Sequence, residues 1–332
     1  MASKQYGQLT QDDVDHFLTH GWIKVPSCFS REAADKVTAD VWTRLGMDPN
    51  DKSTWNTERT NMPSHKEFLA SDFAPKAWTA ISDLLGGEGR VGPHNRTWND
   101  ALIVNLGTPE GEGKVVTGNH LPEWHVDGDM FVHYLDSPEQ ALLVIPLFTD
   151  IKPNGGGTFI CPDAIKHVAE YLHAHPEGVS PRFTPRKDNP TFEPEDTLKW
   201  FNDLAASMPP EKFVEATGEV GDVYLLHPLM LHCASNNMLR IPRIITNPAV
   251  SLNEPFDFNR QNGDEYSIVE KKTLKELGQE RLGGWKIAAP REAVVPERIR
   301  NWRRMREEEL KRLDELKNKA NAPVAERVAP VA

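Results

Sequence analysis

Between Leu9 and Leu45 the apolar residues recur at helical spacing. Thr10-Gln11-Asp12-Asp13 has the form of a helix start, with Asp13 placed to reach back to the cap. Val14, Phe17 and Leu18 continue that helix as a short stripe, and Gly21 can end it. Trp22-Ile23-Lys24-Val25 then reads as a strand. Ser30 caps a second helix whose stripe, Ala34, Val37, Val41, Trp42 and Leu45, stops at Gly46. The stretch from Met47 to Phe73 is polar and irregular and predicts a loop or lid. A third helix over Pro75–Leu85 buries Trp78, Ile81 and Leu84 and ends at Gly86-Gly87.

After that the pattern changes to short β runs broken by Gly and Pro. Strands are expected at Ala101–Leu106, Gln140–Phe148, Thr158–Cys161, Phe213–Ala216, Asp222–Leu226 and, as one long irregular strand containing Pro242 and Pro248, Ile241–Leu252. A Gly-rich loop covers 107–119, and Asn154-Gly155-Gly156-Gly157 is a turn. Asp163 opens a helix through Tyr171. The Pro- and charge-rich segment 175–210 reads as an insertion with one short helix, Pro194 to Ala205. From 256 onward the chain is helical and charged, and Glu297–Lys317 forms an amphipathic helix carrying Ile299, Trp302, Met305, Leu310, Leu313 and Leu316. Residues 318–332 read as a disordered tail.

No internal repeat or linker divides the chain. The expectation is a single α+β domain over 1–317, mainly β with helical additions: a helical N-terminal part over 8–90, a β core over about 95–255, and a helical part over 256–317. Lys+Arg number 38 against Asp+Glu 49, a net charge of −11, which argues against nucleic acid and anionic membrane surfaces as partners. No apolar run approaches the roughly 20 residues of a membrane span. Three cysteines without short spacing exclude a disulfide framework or a CxxC site and point to a reducing compartment. With no secretory apolar segment at the N-terminus, the cytoplasm is the expected location.

The chemistry concentrates at Glu123-Trp124-His125-Val126-Asp127-Gly128-Asp129. On an extended strand, residues i and i+2 share a face, so His125 and Asp127 reach one point together. A metal there needs a third ligand, and His232 is the candidate. Two His and one carboxylate form the open-sided set of mononuclear non-haem Fe(II) oxygenases, which leaves three positions free. His227, five residues before His232, is the rival, and Arg240 and Arg243 are rival cations downstream.

His125-Val126-Asp127-Gly128, Asn154-Gly155-Gly156-Gly157-Thr158, and Gly221 through His232 followed by Arg243 resemble, taken together, the phytanoyl-CoA dioxygenase family. The similarity covers roughly Leu9 to Leu252 and includes the opening helix and Gly21. It implies a double-stranded β-helix (jelly-roll, cupin-like) core and an enzyme that uses Fe(II), O2 and 2-oxoglutarate, releasing succinate and CO2. Carried over, His125, Asp127 and His232 match the iron ligands, which favours His232 over His227. Arg243 matches the residue that grips the distal carboxylate of 2-oxoglutarate, with Thr158 assisting and Asn105 facing the same molecule. Halogenases of this fold lack the carboxylate ligand, so Asp127 implies hydroxylation, desaturation or ring formation. The substrate is expected to be a small-molecule metabolite, with Arg96, His133 and Arg59 as candidate pocket residues. Two other classes compete: a cupin-like metalloenzyme that does not use 2-oxoglutarate, and a non-catalytic β-barrel binding protein. The C-terminal helix either mediates a homodimer or packs on its own domain.

Overall fold

A computed structural model describes residues 6–93, 96–192, 195, 197–296 and 298–321. In chain order the N-terminal part holds α1 (Gln11–His20), β1 (Trp22–Val25), α2 (Arg31–Thr38), α3 (Val41–Leu45), β2 (Arg59–Asn61), β3 (Glu67–Leu69), α4 (Ala70–Phe73) and α5 (Pro75–Leu85). The middle holds β4 (Thr97–Asn99), β5 (Ile103–Asn105), β6 (Leu142–Pro146), β7 (Thr158–Cys161), α6 (Ala164–Ala174), α7 (Lys199–Ser207), β8 (Val214–Glu215), β9 (Val223–Leu226), β10 (Leu231–Ala234), β11 (Arg243–Ile245) and β12 (Ala249–Val250). Helices α8 (Ile268–Glu276) and α9 (Arg298–Asn321) follow.

All strand pairings among the described residues are antiparallel and build four sheets, β1-β9-β6-β12, β10-β7-β8, β11-β5-β2 and β3-β4. Strands β6 and β9 are buried at every position, as a continuous apolar run demands. The bridge Leu147↔Ile245 joins the first sheet to β11, and His125↔His232 ties the chain before Asp127 to β10. The chain is thus α+β, with helices packed around antiparallel sheets.

Helix α1 has the expected capping box: Thr10 accepts from Asp13 N, and the Asp13 carboxylate accepts from Thr10 N at 2.9 Å. Gly21 ends it with φ +72°. Helix α5 has the bounds its sequence predicts. Four expectations are corrected. The second helix breaks into α2 and α3, because Thr38 Oγ1 bonds back to Ala34 O at 3.0 Å and Asp40 leaves helical geometry to hold Lys66 Nζ at 2.9 Å. The expected loop over 47–73 contains β2 and β3, each of only three residues and too short for a readable alternation. The long strand Ile241–Leu252 splits into β11 and β12 on different sheets, since Pro248 lacks an N–H and biases Asn247 before it.

The fourth correction concerns the insertion and the C-terminus. Helix α7 begins at Lys199; Pro194, the expected start, lies outside the described residues. The segment is built into the fold: Val179 bridges to His133, and Phe183 is buried. Helix α9 continues through 318–321, and 322–332 of the expected tail lie outside the described residues. Its inward position is taken by Glu309, 2% exposed, while Leu310 is 43% exposed. Glu309 reaches Arg44 and His65, so α9 packs on α3 of its own chain. No described helix is long and apolar enough to cross a membrane.

Candidate metal centre

His125 and His232 form an antiparallel bridge, His125 N donating to His232 O at 3.0 Å and His232 N to His125 O at 2.9 Å. Directly opposed residues point to one face, and Asp127 shares that face with His125. The three side chains meet there. His125 Nε2 and His232 Nε2 each stand 3.5 Å from Asp127 Oδ1, and the two rings lie 4.3 Å apart. One ligand atom from each residue falls within 4.8 Å of the others. Atoms about 2.1 Å from one ion, at right angles, stand about 3 Å apart, so a small inward adjustment closes the set on a cation.

The tautomers fit this use. His125 Nδ1 bonds Glu123 O at 2.7 Å, and His232 Nδ1 bonds Met230 O at 3.0 Å. A carbonyl only accepts, so each Nδ1 carries the hydrogen and each Nε2 turns a lone pair to the shared point. Glu123 itself sits in the left-handed region, with φ +65°. Asn202 Oδ1, on α7, accepts from Trp124 N at 3.1 Å and fixes the same segment. Asn247 Nδ2 lies 3.4 Å from Asp127 Oδ2, leaving Oδ1 to the imidazoles.

Burial works against charge on His125, but the Asp127 carboxylate bonded to it prevails and raises its pKa. Burial likewise opposes ionisation of Asp127, and the imidazoles of His232 and His125 outweigh it, holding the carboxyl well below its ordinary range. Asp127 is therefore an anion ready to ligate. The site opens on the His125 side: its side chain is 36% exposed, against 7% for His232.

Behind Asp127 the backbone is crowded. Gly128 has φ +122°, and a Cβ there would lie 2.5 Å from Phe131 and 2.7 Å from His133. His133 is 3% exposed and its Nε2 donates to Gly128 O at 2.7 Å; burial pushes its pKa down to about 4, so it is neutral. It braces the turn behind Asp127. His227 is a core residue: Nε2 pairs with Thr273 Oγ1 at 2.9 Å, Nδ1 accepts from Leu229 N, and burial pushes its pKa down to about 3.

A second cluster lies on the sheet β11-β5-β2, where Arg243, Asn105 and Arg59 are register partners in a row. Arg243 is 1% exposed. Its Nε donates to Gly156 O at 2.7 Å and Nη1 to Ile103 O at 3.4 Å. Among the described residues no carboxylate forms an ion pair with it. Burial first, then the neighbouring Arg59 charge, push its pKa down to about 9. A buried cation held only by carbonyls is a ready receptor for an anion. Asn105 stands beside it, but its amide is engaged at both ends, donating to Ser235 O at 2.8 Å and accepting from Gly107 N at 3.1 Å. Gly156 is pressed against that amide, and its φ of +83° with a would-be Cβ 2.9 Å from Asn105 Nδ2 admits no side chain.

Thr158 pairs with Ala234, two positions from the Ile160↔His232 pair, so its side chain lies on the His232 face. Arg59 is ion-paired with Glu123. Arg96 pairs with Glu88 at 3.2 Å in an exposed contact, and among the described residues no hydrogen bond or ion pair joins it to the His125 cluster. Arg240 lies over the Trp55 ring at 5.6 Å and 3.8 Å from Glu112. The sequence reading missed Asn247. It stands at i+4 from Arg243, the same face of an extended segment, and that spacing was its one available signal.

No family model and no curated protein sequence matches this chain. Among solved structures it is similar to HygX from Streptomyces hygroscopicus with nickel, 2-oxoglutarate and hygromycin B bound, at 12% identity and a TM-score of 0.41, over 74% of this chain and 88% of that one. It is also similar to the non-haem alpha-ketoglutarate-dependent carbocyclase SnoK from nogalamycin biosynthesis, at 16% identity and a TM-score of 0.39, over 74% and 84%. A third is EctD from S. alaskensis, at 15% identity and a TM-score of 0.38, over 78% and 85%.

Proposed function

We propose that this chain is a non-haem Fe(II) oxygenase that uses 2-oxoglutarate and O2 to oxidise a small-molecule metabolite, on a double-stranded β-helix core. What carries this reading is the pairing of two features: an imidazole–carboxylate–imidazole set with both Nε2 lone pairs turned to one point, and a buried arginine left without a carboxylate. Bound Fe(II) supplies the one-electron chemistry that couples oxidative decarboxylation of 2-oxoglutarate to attack on the substrate.

The chain's own residues place and hold. His125, Asp127 and His232 would hold the metal and, as three ligands, would leave room on it for other groups. Asn247 keeps Asp127 turned so that one oxygen serves the metal. Arg243 receives the far carboxylate of 2-oxoglutarate, its guanidinium oriented by the Gly156 carbonyl, and Thr158 supports that end. Neutral His133 braces Gly128 and so fixes the position of Asp127. With a carboxylate ligand in place, the supported outcomes are hydroxylation, desaturation or oxidative cyclisation.

The test is succinate formation from 2-oxoglutarate by anaerobically Fe(II)-loaded protein on admitting air, for wild type, His232→Ala and Arg243→Ala. Loss in both variants is expected. Iron binding without 2-oxoglutarate consumption, and no effect of Arg243→Ala, would instead favour a cupin-like metalloenzyme.

A further inference from the structure

The turn Asn154-Gly155-Gly156-Gly157 carries the carbonyl that orients Arg243: Gly156 O accepts from Arg243 Nε at 2.7 Å. The shape of the turn therefore bears on where that guanidinium points. One side chain closes the turn at both ends. Glu215, on β8, accepts from Asn154 N through Oε2 at 2.7 Å and from Gly157 N through Oε1 at 3.0 Å. The carbonyls of the same two residues are held as well: Ser235 Oγ donates to Gly157 O at 2.7 Å, and Met238 N donates to Asn154 O at 3.1 Å.

Glu215 suits this task by its chemistry and by its place. Two N–H groups that converge on one side chain need two acceptor oxygens, which a carboxylate has and an amide lacks. The approach is close: a Cβ on Gly157 would lie 2.6 Å from Ala216 O and 2.8 Å from Glu215 Cγ. Glu215 is half-buried, and among the described residues it forms no ion pair, so its hydrogen bonds there go to the turn. It does not reach the metal face. Glu215 is the register partner of Phe159, one step out of phase with the pair Ile160↔His232. The side chains of Glu215 and His232 therefore leave opposite faces of the sheet β10-β7-β8.

We propose that Glu215 is a positioning residue for the co-substrate: by fixing the 154–157 turn it aims the Arg243 guanidinium at the far carboxylate of 2-oxoglutarate, without touching that molecule itself. This rests on the oxygenase reading of the site and adds the residue that sharpens its choice of a keto acid with a second carboxylate. A planar guanidinium grips a carboxylate through paired bonds only in the right orientation. Tilting it leaves the charge in place and loses part of the grip, and a turn fixed in advance spares the ligand the cost of ordering it.

The experiment measures, by anaerobic calorimetry on Fe(II)-loaded protein, the affinity for 2-oxoglutarate and for 2-oxopentanoate, which has the same chain length and lacks the second carboxylate. Wild type is compared with Glu215→Asp, which keeps the charge but is one methylene too short to meet both N–H groups, and with the exposed control Glu219→Gln. Wild type should bind 2-oxoglutarate the more tightly. Glu215→Asp should weaken 2-oxoglutarate roughly tenfold, the worth of one hydrogen bond to a charged group, and leave 2-oxopentanoate where it was. In the succinate assay the KM for 2-oxoglutarate should rise by the same factor while kcat holds. In an Arg243→Met background Glu215→Asp should change nothing further, and Glu219→Gln should match wild type throughout. If Glu215→Asp does not fold, Ser235→Ala frees the turn at Gly157 O, removes no charge, and should shift the same ratio. An unmoved 2-oxoglutarate affinity, equal losses for the two keto acids, or a further loss in the Arg243→Met background would overturn the proposal. Wild type that binds both keto acids equally removes the roles of Arg243 and Glu215 alone. Wild type that binds neither removes the oxygenase reading, and this proposal with it.

Discussion

Arg44 and Arg243 are buried to the same depth, 2% and 1% exposed, in different company. Arg44, on α3, gives Nε to Glu309 at 2.9 Å, Nη1 to the Asp100 carboxylate at 3.0 Å and Nη2 to Pro63 O at 2.5 Å. Its charge is answered twice from within the chain. Arg243, on β11, hydrogen-bonds among the described residues only to the carbonyls of Gly156 and Ile103. Removing a guanidinium from water costs several kcal/mol, and carbonyl dipoles offset part of that at best. The first arrangement joins two ends of a fold. The second leaves a buried charge without an ion pair among the described residues, with the Glu215 carboxylate acting on it only from a distance.

The contrast can be broken by removing each charge in turn. The largest effect is expected from Arg44→Met, which strands the buried carboxylates of Glu309 and Asp100. Thermal or denaturant unfolding should show a loss of about 3–5 kcal/mol. Arg243→Met should behave in the opposite way. Unfolding stability should hold or rise, while 2-oxoglutarate affinity falls by about 2–5 kcal/mol in calorimetry. A stability loss as large as that of Arg44→Met would show Arg243 to be structural.

Glu270 sharpens the comparison from the anionic side. It is fully buried, and burial alone would raise its pKa; Arg90 and the backbone N–H groups of Asp257 and Ser267 instead hold it down to about 2. Its folded pKa lies below the unfolded value, so the stability it contributes is complete above pH 4.5 and drains away as pH falls from there toward 2. Arg90 and Arg260 are 24% and 23% exposed, which screens the pairs and leaves a contribution on the order of 2 kcal/mol. Stability measured across that window should slope in wild type and flatten in Glu270→Gln. The smallest effect belongs to Asn247→Ala. Freed of its amide partner, Asp127 should bind metal roughly tenfold more weakly in a chelator competition, with unfolding unchanged.

The local parts of this molecule were legible in the sequence, and the long-range parts were not. The α1 capping box, the Gly21 stop and the His125–Asp127 spacing follow from neighbours within four residues. His232 and Arg243 were found by resemblance to a motif rather than by spacing alone. The strand β2 escaped because three polar residues, Arg59-Thr60-Asn61, carry no alternation to read. It becomes a strand only because β5 is there to pair with it. Asn247 lies 120 positions from Asp127, and Glu309 lies 265 from Arg44. No periodicity spans such distances. The amphipathic reading of α9 placed Leu310 inward and missed Glu309 because a carboxylate one step off an apolar stripe reads as solvated, unless a buried cation is known to wait for it.

The Arg44–Glu309 bond also sets a clock on synthesis. The 265 positions between the partners take a ribosome roughly 13–53 s at about 5–20 residues per second. From the making of Asp100, 56 positions after Arg44, until Glu309 follows, the cation has one of its two carboxylate partners and lacks the other. Completion of the last helix is therefore the event that seals the first third of the chain, and a translation product ending short of residue 309 would carry an open, chaperone- and protease-accessible seam around α3.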